Sequence, residues 1–303
     1  MDLITTKDLC KAYGGKLVIN NVNMHIPEHS IYGFVGENGS GKTTIMRLLT
    51  GLAEPTSGSF TLFGVENKDG KIFKVREQVS AIVETTSLIP SMTARDNMIY
   101  QELYLGALQS EEQRQELLKK VHLDQVGNKK VKNFSLGMKQ RLGIAMALMN
   151  HPKLMLLDEP MNGLDPEGIA ELRELLIELN QKEGITVLIS SHILSELEKI
   201  ASCYGFISHG HLLEEITAEE LQNKCRKSVN VKVSDISKVD EVMASLNVKD
   251  YKAYPNGDVK VFENIAINEL VVALSNAGVA VLGINSQEES VEDYYLNLIK
   301  EGE

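Results

Sequence analysis

The sequence predicts an α/β fold in which a mainly parallel sheet lies between helices, followed by a small α+β domain. Up to about residue 222, short β-rich runs alternate with longer helical runs, which is typical of an α/β sheet. One of these strands leads into a helix through a glycine-rich turn. After residue 222 the order becomes strand, helix, strand, strand, helix, strand, as in ferredoxin-like domains. We therefore expect one domain over residues 1–222 and a small ferredoxin-like domain over residues 223–303.

Composition narrows the class of protein. The 303 residues are 43% hydrophobic and 24% charged, as in a soluble globular protein. No apolar run approaches the roughly 18 residues needed to cross a bilayer, and the first residues lack the features of a signal peptide. The net charge of -11 opposes binding to a nucleic-acid backbone. These observations predict a cytoplasmic protein with no nucleic-acid partner.

Two regions are expected to flank the parallel sheet. Val18, Val22, Met24 and Ile26 share an even spacing, which indicates β structure with one buried face and predicts a β-rich edge. From residue 96 to residue 130 the composition is helical and shows no strand signal. With the helix that follows, this region predicts a helical subdomain over about residues 96–150.

The first motif with a chemical meaning follows the strand Ile31–Val35. A glycine-rich turn at residues 36–43 leads from this strand into a helical run. In such a P-loop, backbone N–H groups surround phosphate oxygens at a helix N-terminus. Lys42 would add a positive charge at the β and γ phosphates, and the Thr43 hydroxyl would bind Mg²⁺, although the turn could be only a tight connection. The predicted nucleotide-binding residues of this motif are Gly36, Asn38, Gly39, Ser40, Gly41, Lys42, Thr43 and Thr44.

A second motif places two carboxylates at the end of a strand. The apolar run Leu154-Met155-Leu156-Leu157 ends in Asp158 and Glu159, and the carboxyl ends of strands are where α/β sheets bind ligands. We expect Asp158 to hold Mg²⁺ and Glu159 to orient or deprotonate the attacking water. Two acids after a strand can also simply begin a helix. The P-loop favours the catalytic interpretation.

A third motif, Phe134-Ser135-Leu136-Gly137-Met138, precedes a helix with apolar residues at Ile144, Ala147 and Leu148. A serine and a glycine at a helix start provide a hydroxyl and exposed N–H groups, which form a second anion-binding N-terminus. An ordinary helix cap has the same local sequence. The chain therefore carries two candidate phosphate-binding helix starts.

Over residues 1–222 these motifs resemble the nucleotide-binding subunit of an ATP-binding cassette (ABC) transporter, whose signature is normally Leu-Ser-Gly-Gly-Gln. The resemblance implies that two copies pair head to tail, with each ATP between the P-loop of one copy and the signature of the other. Ser135 and Gly137 would then serve the second copy's nucleotide, while Leu136 and Met138 depart from the pattern. It also implies ATP and Mg²⁺ as cofactors, and a separate transmembrane permease subunit that holds the chain at the inner face of the membrane.

Four further positions match the family. Tyr13, before two glycines, resembles the aromatic residue that stacks on adenine, although an ordinary strand tyrosine would look the same. Asp165 resembles part of the loop that links the two sites of the dimer. His192 resembles the switch histidine that contacts the γ-phosphate. Glu84 replaces the usual glutamine that contacts Mg²⁺ or the lytic water and whose loop touches the membrane subunit, so the resemblance implies a metal ligand there.

Glu84 and the run Thr93-Ala94-Arg95-Asp96-Asn97 are similar to cassettes of the bacitracin-resistance and lantibiotic self-immunity type. This resemblance implies an ATPase that powers the export or expulsion of a peptide antibiotic or similar amphiphile. The alternative is a soluble ABC-type ATPase acting on ribosomes or DNA. Such proteins commonly carry two cassettes or a long coiled coil, whereas this chain has a single P-loop and no sustained heptads. We interpret His209 and His211 as parts of a hairpin and not as a metal pair.

Overall fold

The computed structural model describes residues 1–106, 108–225, 228–263, 265–287 and 290–302. Within it the chain divides into two compact units, Met1–Ala218 and Glu219–Glu301. The domain boundary expected after residue 222 lies inside a helix, α8 (Ala218–Lys224). No helix in the described ranges is both long enough and apolar enough to cross a membrane.

The elements of the first unit alternate between strands and helices from α1 onwards. Its strands are β1 (Asp2–Tyr13), β2 (Lys16–Val22), β3 (His25–Pro27), β4 (Ile31–Val35), β5 (Ser57–Leu62), β6 (Val65–Glu66), β7 (Val79–Ile82), β8 (Leu154–Asp158), β9 (Thr186–Ser191), β10 (Cys203–Ser208) and β11 (His211–Thr217). Its helices are α1 (Lys42–Thr50), α2 (Ile72–Arg76), α3 (Ala94–Leu105), α4 (Glu111–Lys120), α5 (Leu136–Leu148), α6 (Pro166–Glu183) and α7 (Leu194–Leu197), with a 3₁₀ turn at Val131–Asn133.

Two sheets build the first unit. Strands β2, β1, β5 and β6 lie side by side in antiparallel pairs, with β3 also paired to β1, which confirms the predicted β-rich edge. The larger sheet has the order β11-β10-β4-β9-β8-β7, and only its β10–β11 pair is antiparallel in the described chain. Strands β4, β8 and β9 are buried along their whole length, as expected for parallel strands covered on both faces.

The register of the central strands brings the predicted motifs together. Val35 at the end of β4 lies opposite Ser191 of β9, and Ser190 lies opposite Asp158 at the end of β8. Because parallel strands end at the same edge of a sheet, the loops after these three strands meet there. Buried residues such as Phe34 fix the strands in this register, and each fully buried side chain of this kind contributes roughly 1.5–3 kcal/mol.

The elements described between residues 96 and 150 are all helical. Helix α3 begins with a capping box: the Asp96 N–H donates to the Thr93 hydroxyl, and the Thr93 N–H donates to the Asp96 carboxylate. Helix α4 begins in the same way with Ser110 and Gln113. These side chains satisfy N–H groups that the helix itself leaves unpaired. Local sequence therefore defines where both helices start.

The second unit has α8 before its sheet, whose strands and helices follow a regular order. They are β12 (Ser228–Val233), α9 (Val239–Ser245), β13 (Tyr251–Ala253), β14 (Asp258–Val261), α10 (Ile267–Asn276) and β15 (Val281–Gln287), followed by α11 (Val291–Gly302). The antiparallel sheet has the order β13-β14-β12-β15, and its valines pack with residues of α9 and α10 in a separate core. In the turn after β13, Gly257 has a φ of 88°, a conformation that glycine adopts readily.

Candidate functional site

The glycine-rich loop after β4 leads into α1 and packs against β2 and the β10–β11 hairpin. Gly39 has a φ of 85° and Gly41 a φ of 117°, values that glycine adopts readily and other residues do not. A Cβ atom on Gly41 would lie 2.4 Å from Ile19 Cδ1, so this position requires glycine for space as well as for conformation. The hairpin β10–β11 supports the loop from behind, because the Gly210 N–H donates to the Ser40 carbonyl over 2.9 Å.

Lys42 lies inside the loop that it follows. Its side chain is only 5% exposed, and its Nζ donates to the carbonyl oxygens of Gly36 at 2.5 Å and Glu37 at 3.1 Å. The same Nζ lies 3.3 Å from Glu159 Oε1. A buried ammonium group is costly unless it is paired and hydrogen-bonded, and these contacts meet both conditions. They fix the positive charge at the floor of the loop.

A cavity of about 180 Å³ opens over this loop. It is lined by Val18, Asn38, Gly39, Gly41, Lys42, Thr43, Thr44, Asp158 and Glu159. The hydroxyl of Ser40, on the same loop, is buried and has no hydrogen-bond partner among the described residues. An unsatisfied buried hydroxyl, a buried lysine and a helix N-terminus together favour an anion.

Asp158 is held by two hydroxyl groups. Thr43 Oγ1 donates to Asp158 Oδ2 over 2.7 Å, and Ser190 Oγ donates to Asp158 Oδ1 over 2.6 Å. Ser190 Oγ also accepts a hydrogen bond from the Glu159 N–H at 2.9 Å. The sequence analysis did not identify Ser190 as a site residue, although the parallel pairing of β8 with β9 is the signal that brings it opposite Asp158.

Glu159 lies between two basic groups. Its backbone has a φ of 49°, a left-handed conformation that is uncommon for residues with a side chain and clusters at functional sites. His192 Nδ1 lies 2.8 Å from Glu159 Oε2, while Lys42 is near the other carboxylate oxygen. The two residues predicted to be catalytic, Glu159 and His192, are therefore in direct contact, and Glu159 lines the cavity.

The residues at this edge fit a magnesium ion and a polyphosphate. The Thr43 hydroxyl and the Asp158 carboxylate are in contact, and oxygen ligands of this kind are those that Mg²⁺ prefers. The Lys42 ammonium lines the same cavity, and the unsatisfied Ser40 hydroxyl lies on the same loop. Candidate metal and phosphate ligands are thus grouped at one edge of the sheet.

Glu84 has a different immediate partner. Its backbone φ is 69°, its side chain is 56% exposed, and its carboxylate forms an ion pair with the guanidinium of Arg47 on α1. Arg47 has no local sequence signal that would single it out, because the pair joins two segments that are distant along the chain. The role of Glu84 as a metal ligand stays a prediction.

The second candidate helix start is exposed. Ser135 caps α5, its Oγ accepting from the Met138 N–H at 3.2 Å, and Leu136 is 50% exposed. A Cβ on Gly137 would come no closer than 3.8 Å to another residue, which is Gly168 on α6. Asp165 caps α6 by accepting from the Gly168 N–H at 3.1 Å. Ser135, Gly137 and Asp165 are thus grouped together, and the residues that line the P-loop cavity do not include them.

Tyr13 lies at the end of β1 with 44% of its surface exposed. The Lys11 Nζ lies 4.8 Å from the centroid of its ring and donates to the Glu54 carbonyl over 2.7 Å. A cation near the ring is a favourable cation–π contact. The ring is therefore both accessible and fixed in orientation.

His209 and His211 belong to the β10–β11 hairpin, where Ser208 lies opposite His211. His211 Nε2 lies 3.0 Å from Asn20 Nδ2. Across the described part of the chain, no group of three or more His, Cys, Asp or Glu side chains is arranged to hold a metal ion. The predicted hairpin is confirmed.

A second cavity of about 320 Å³ lies between β7, α3 and α5. It is lined by Val79, Ser80, Ala81, Ile82, Thr85, Thr86, Ser87, Leu88, Gln101, Leu105, Gly143, Met146, Ala147 and Asn150. Three large apolar side chains on α3, those of Tyr100, Leu103 and Tyr104, are exposed to solvent. An apolar surface next to a groove is a common feature of protein–protein interaction sites.

Comparison with known proteins gives consistent matches. The family model for ABC transporters matches residues 19–162. The bacitracin transport ATP-binding protein BcrA of Bacillus licheniformis is 40% identical over 99% of this chain and 98% of its own length. The lantibiotic transport ATP-binding protein SrtF of Streptococcus pyogenes is 47% identical over 70% of this chain and 90% of its own length.

Solved structures share the fold. A dimeric ATP-binding cassette in a post-hydrolysis state, with ADP and Pi bound, is similar with a TM-score of 0.63 and 27% identity, covering 71% of this chain and 98% of that one. The cassette cbiO1 from Clostridium perfringens, part of the transporter complex cbiONQ, has a TM-score of 0.65 and 23% identity, covering 82% of this chain and 95% of that one. The second likeness concerns the fold alone.

Proposed function

We propose a mechanism, an assembly and a cargo class for this chain, which belongs to the ABC transporter family and is an ATP-binding, ATP-hydrolysing subunit that powers a transporter. One observation carries the mechanism. Lys42, Asp158 and Glu159 line a single cavity over the P-loop, and His192 contacts Glu159. This arrangement supports ATP binding and hydrolysis at the edge formed by β4, β8 and β9.

In this mechanism the P-loop N–H groups and Lys42 bind the β and γ phosphates. Thr43 and Asp158 hold Mg²⁺, with Glu84 as a further ligand. When bound, the metal neutralises the charge that develops on the transferred phosphoryl group. Glu159 accepts a proton from the attacking water, and His192, in contact with Glu159 Oε2, orients it and contacts the γ-phosphate. Ser190 fixes Asp158 and the Glu159 backbone.

The second half of each site comes from a second copy of the chain. Ser135 is exposed, Gly137 is half-buried, and both lie outside the P-loop cavity, which supports a head-to-tail homodimer in which they bind the other copy's nucleotide. Asp165, grouped with them through Gly168, links the two sites. Tyr13 stacks on the adenine with the ring that Lys11 holds in place.

The groove between β7, α3 and α5 is the docking site for a separate transmembrane permease. The exposed apolar residues of α3 lie next to it, and a groove of this kind receives a helix through its apolar face. Docking there places the chain at the inner face of the membrane.

The cargo class is a peptide antibiotic of the bacitracin or lantibiotic type, as the names of the relatives BcrA and SrtF support. The test uses bacteria that produce this chain together with its permease, with or without the substitution Glu159→Gln. We expect higher survival in bacitracin or in a lantibiotic only with the native chain. Equal survival of both strains would exclude this cargo class. Action on ribosomes or DNA is not favoured, because these relatives are transport proteins.

A further inference from the structure

The ion pair between Glu84 and Arg47 takes no part in the proposed mechanism of ATP hydrolysis. Glu84 lies two residues beyond the end of β7 with a backbone φ of 69°, a conformation that surrounding contacts must maintain in a residue other than glycine. Its carboxylate is more than half exposed and is bound to the Arg47 guanidinium. A strained backbone that carries an accessible charge is consistent with a side chain that changes partners.

Arg47 lies close to the proposed metal site. It is four residues after Thr43 on α1, and side chains at this spacing lie on the same helix face with Cβ atoms about 5–6 Å apart. Thr43 Oγ1 in turn donates to the Asp158 carboxylate over 2.7 Å. The Glu84 carboxylate is therefore bound to a residue on the same face of α1 as Thr43. Movement of the Glu84 side chain along this face would exchange Arg47 for a metal ion held by Thr43 and Asp158.

We infer that Arg47 is a positioning residue that competes with Mg²⁺ for the Glu84 carboxylate. Arg47 holds Glu84 before nucleotide binds and releases it to the metal afterwards. This inference rests on the proposed function, in which Glu84 is a metal ligand, and adds to it the residue that controls when Glu84 is available.

The loop that follows Glu84 connects the exchange of its partner to the groove between β7, α3 and α5. Residues 85–88, which directly follow Glu84, line the groove together with Gly143 and Met146 of α5. Thr86 packs so closely on α5 that its Cγ2 lies 2.4 Å from where a Cβ on Gly143 would be. A change in the position of Glu84 therefore moves a loop that is packed against α5, the helix that begins at Ser135. The metal site, the permease groove and the second helix start are mechanically connected through this loop.

The ion pair between Glu84 and Arg47 is weak enough for Glu84 to change partners. Exposed ion pairs are weak, and their removal changes an equilibrium by only about two- to fivefold. A divalent ion beside a triphosphate can therefore displace Arg47 from Glu84. Removal of Arg47 should lower the Mg²⁺ concentration for half-maximal nucleotide binding by about two- to fivefold.

The test is a double-mutant cycle with full-length chains. The native chain, Arg47→Gln, Glu84→Gln and the double variant are titrated with Mg²⁺ in the presence of a fluorescent ATP analogue, and amide hydrogen exchange is followed over residues 85–88. Arg47→Lys serves as the matched control, because it keeps the positive charge near the phosphates and should stay close to the native midpoint.

We expect Arg47→Gln to lower the Mg²⁺ midpoint and to raise exchange over residues 85–88 only where Glu84 is present. An equal shift in the Glu84→Gln background would assign the effect to general charge and overturn the inference, as would identical midpoints in all four proteins. If the native chain fails to bind the analogue with Mg²⁺, the proposed function itself is wrong. The two failures are thus distinguishable.

Discussion

The two candidate phosphate-binding helix starts, at α1 and at α5, differ in how much of a phosphate site a single copy of the chain provides. At the start of α1, Lys42 is buried, its ammonium donates to the Gly36 and Glu37 carbonyls and pairs with the Glu159 carboxylate, and Thr43 donates to Asp158. At the start of α5, Ser135 is exposed and its hydroxyl caps its own helix through the Met138 N–H. One start is built into the core of the first unit, and the other lies on its surface.

The difference has a structural origin. Helix α1 follows β4, the fully buried strand in the middle of the parallel sheet, so strands on both sides supply groups to its N-terminus. Helix α5 follows a 3₁₀ turn, Val131–Asn133, in the helical part of the unit, where no such neighbours converge among the described residues. The α1 start is thus preorganised for phosphate. The α5 start needs a second surface to enclose an anion.

The largest effect is expected from Glu159→Gln, which tests the α1 half of the site, the half that a single copy of the chain completes. The variant should hydrolyse ATP at least about a hundredfold more slowly, because a positioned general base contributes 10²–10⁴-fold, while binding of MgATP persists and an ATP-dependent dimer accumulates. Phosphate release and size-exclusion chromatography with ATP measure both effects. Glu167→Gln, on the exposed first turn of α6, is the matched control and should behave as native. Near-native turnover by Glu159→Gln would remove Glu159 from the catalytic role.

The next largest effect on hydrolysis is expected at the start of α5, the half of the site that needs a second copy. Gly137→Asp places a carboxylate at the exposed start of α5, where it would repel a phosphate from a second copy. Hydrolysis should fall at least about tenfold, since loss of one stabilising contact to the reacting phosphate is typically worth that much or more. ATP binding to the P-loop of the same chain should stay within about twofold. Gly70→Asp, where a Cβ meets nothing within 4 Å, is the control.

Mixing variants decides whether the halves belong to different copies. A Gly137→Asp chain and a Lys42→Ala chain should each hydrolyse ATP poorly, but a mixed dimer contains one intact pairing of P-loop and α5 start. ATPase activity should therefore reappear on mixing. If the mixture stays as inactive as its components, the head-to-tail arrangement loses its support.

The α1 half of the site was also easier to predict from the sequence than the α5 half. Its ligands are consecutive along the chain in residues 36–44 and at Asp158 and Glu159, and strand pairing follows from the alternation of strands and helices. Ser190 was missed because a serine in a buried strand has no local signature. Its role arises only from the register that sets it opposite Asp158.

Glu84 shows the limit of sequence reasoning more clearly. The sequence places a carboxylate after an apolar strand, and the family resemblance implies a metal ligand, but neither indicates the ion pair with Arg47. Such a pair depends on the tertiary structure that brings α1 near the loop after β7, and many residues along the chain carry a suitable charge. Pairing between distant charged side chains is decided by tertiary geometry and contributes little free energy, so it leaves little trace in local sequence.

A smaller effect is expected in the helical region that carries α5. Bonds from Arg95 and Arg114 lower the pKa of Glu111 from 4.5 to about 2, and Arg114 also binds the buried Glu102 of α3. Because the folded-state pKa is depressed, the stabilisation is complete above about pH 4.5 and is lost as the pH falls from about 4.5 towards 2.

Urea unfolding of the native chain and of Glu111→Gln from pH 7 to pH 3 measures this contribution. The variant should be less stable than the native chain at pH 7, and the difference should narrow at pH 3. Glu116→Gln removes an exposed charge from the same helix and should show no such narrowing. An identical pH dependence of the two variants would mean that the Arg95–Glu111–Arg114 contacts do not stabilise α4.

The smallest effect is expected from removal of the second unit, which tests whether the contrast between the two helix starts is a property of the first unit alone. Both the P-loop cavity and the core behind it are built from residues before Ala218, and the valine-rich core of the second unit is separate. A chain of residues 1–222 should therefore bind MgATP within about twofold of the full chain, as measured by titration with a fluorescent analogue after circular dichroism has established that it is folded. Val231→Asp in the full chain provides a second route to the same state, because a carboxylate in that buried position disrupts the second core. If the shortened chain is folded but fails to bind nucleotide, while Val231→Asp binds normally, the cut has damaged α8 and the first unit with it. If both fail, part of the nucleotide site depends on the second unit, and the α1 start is less complete than its buried contacts indicate.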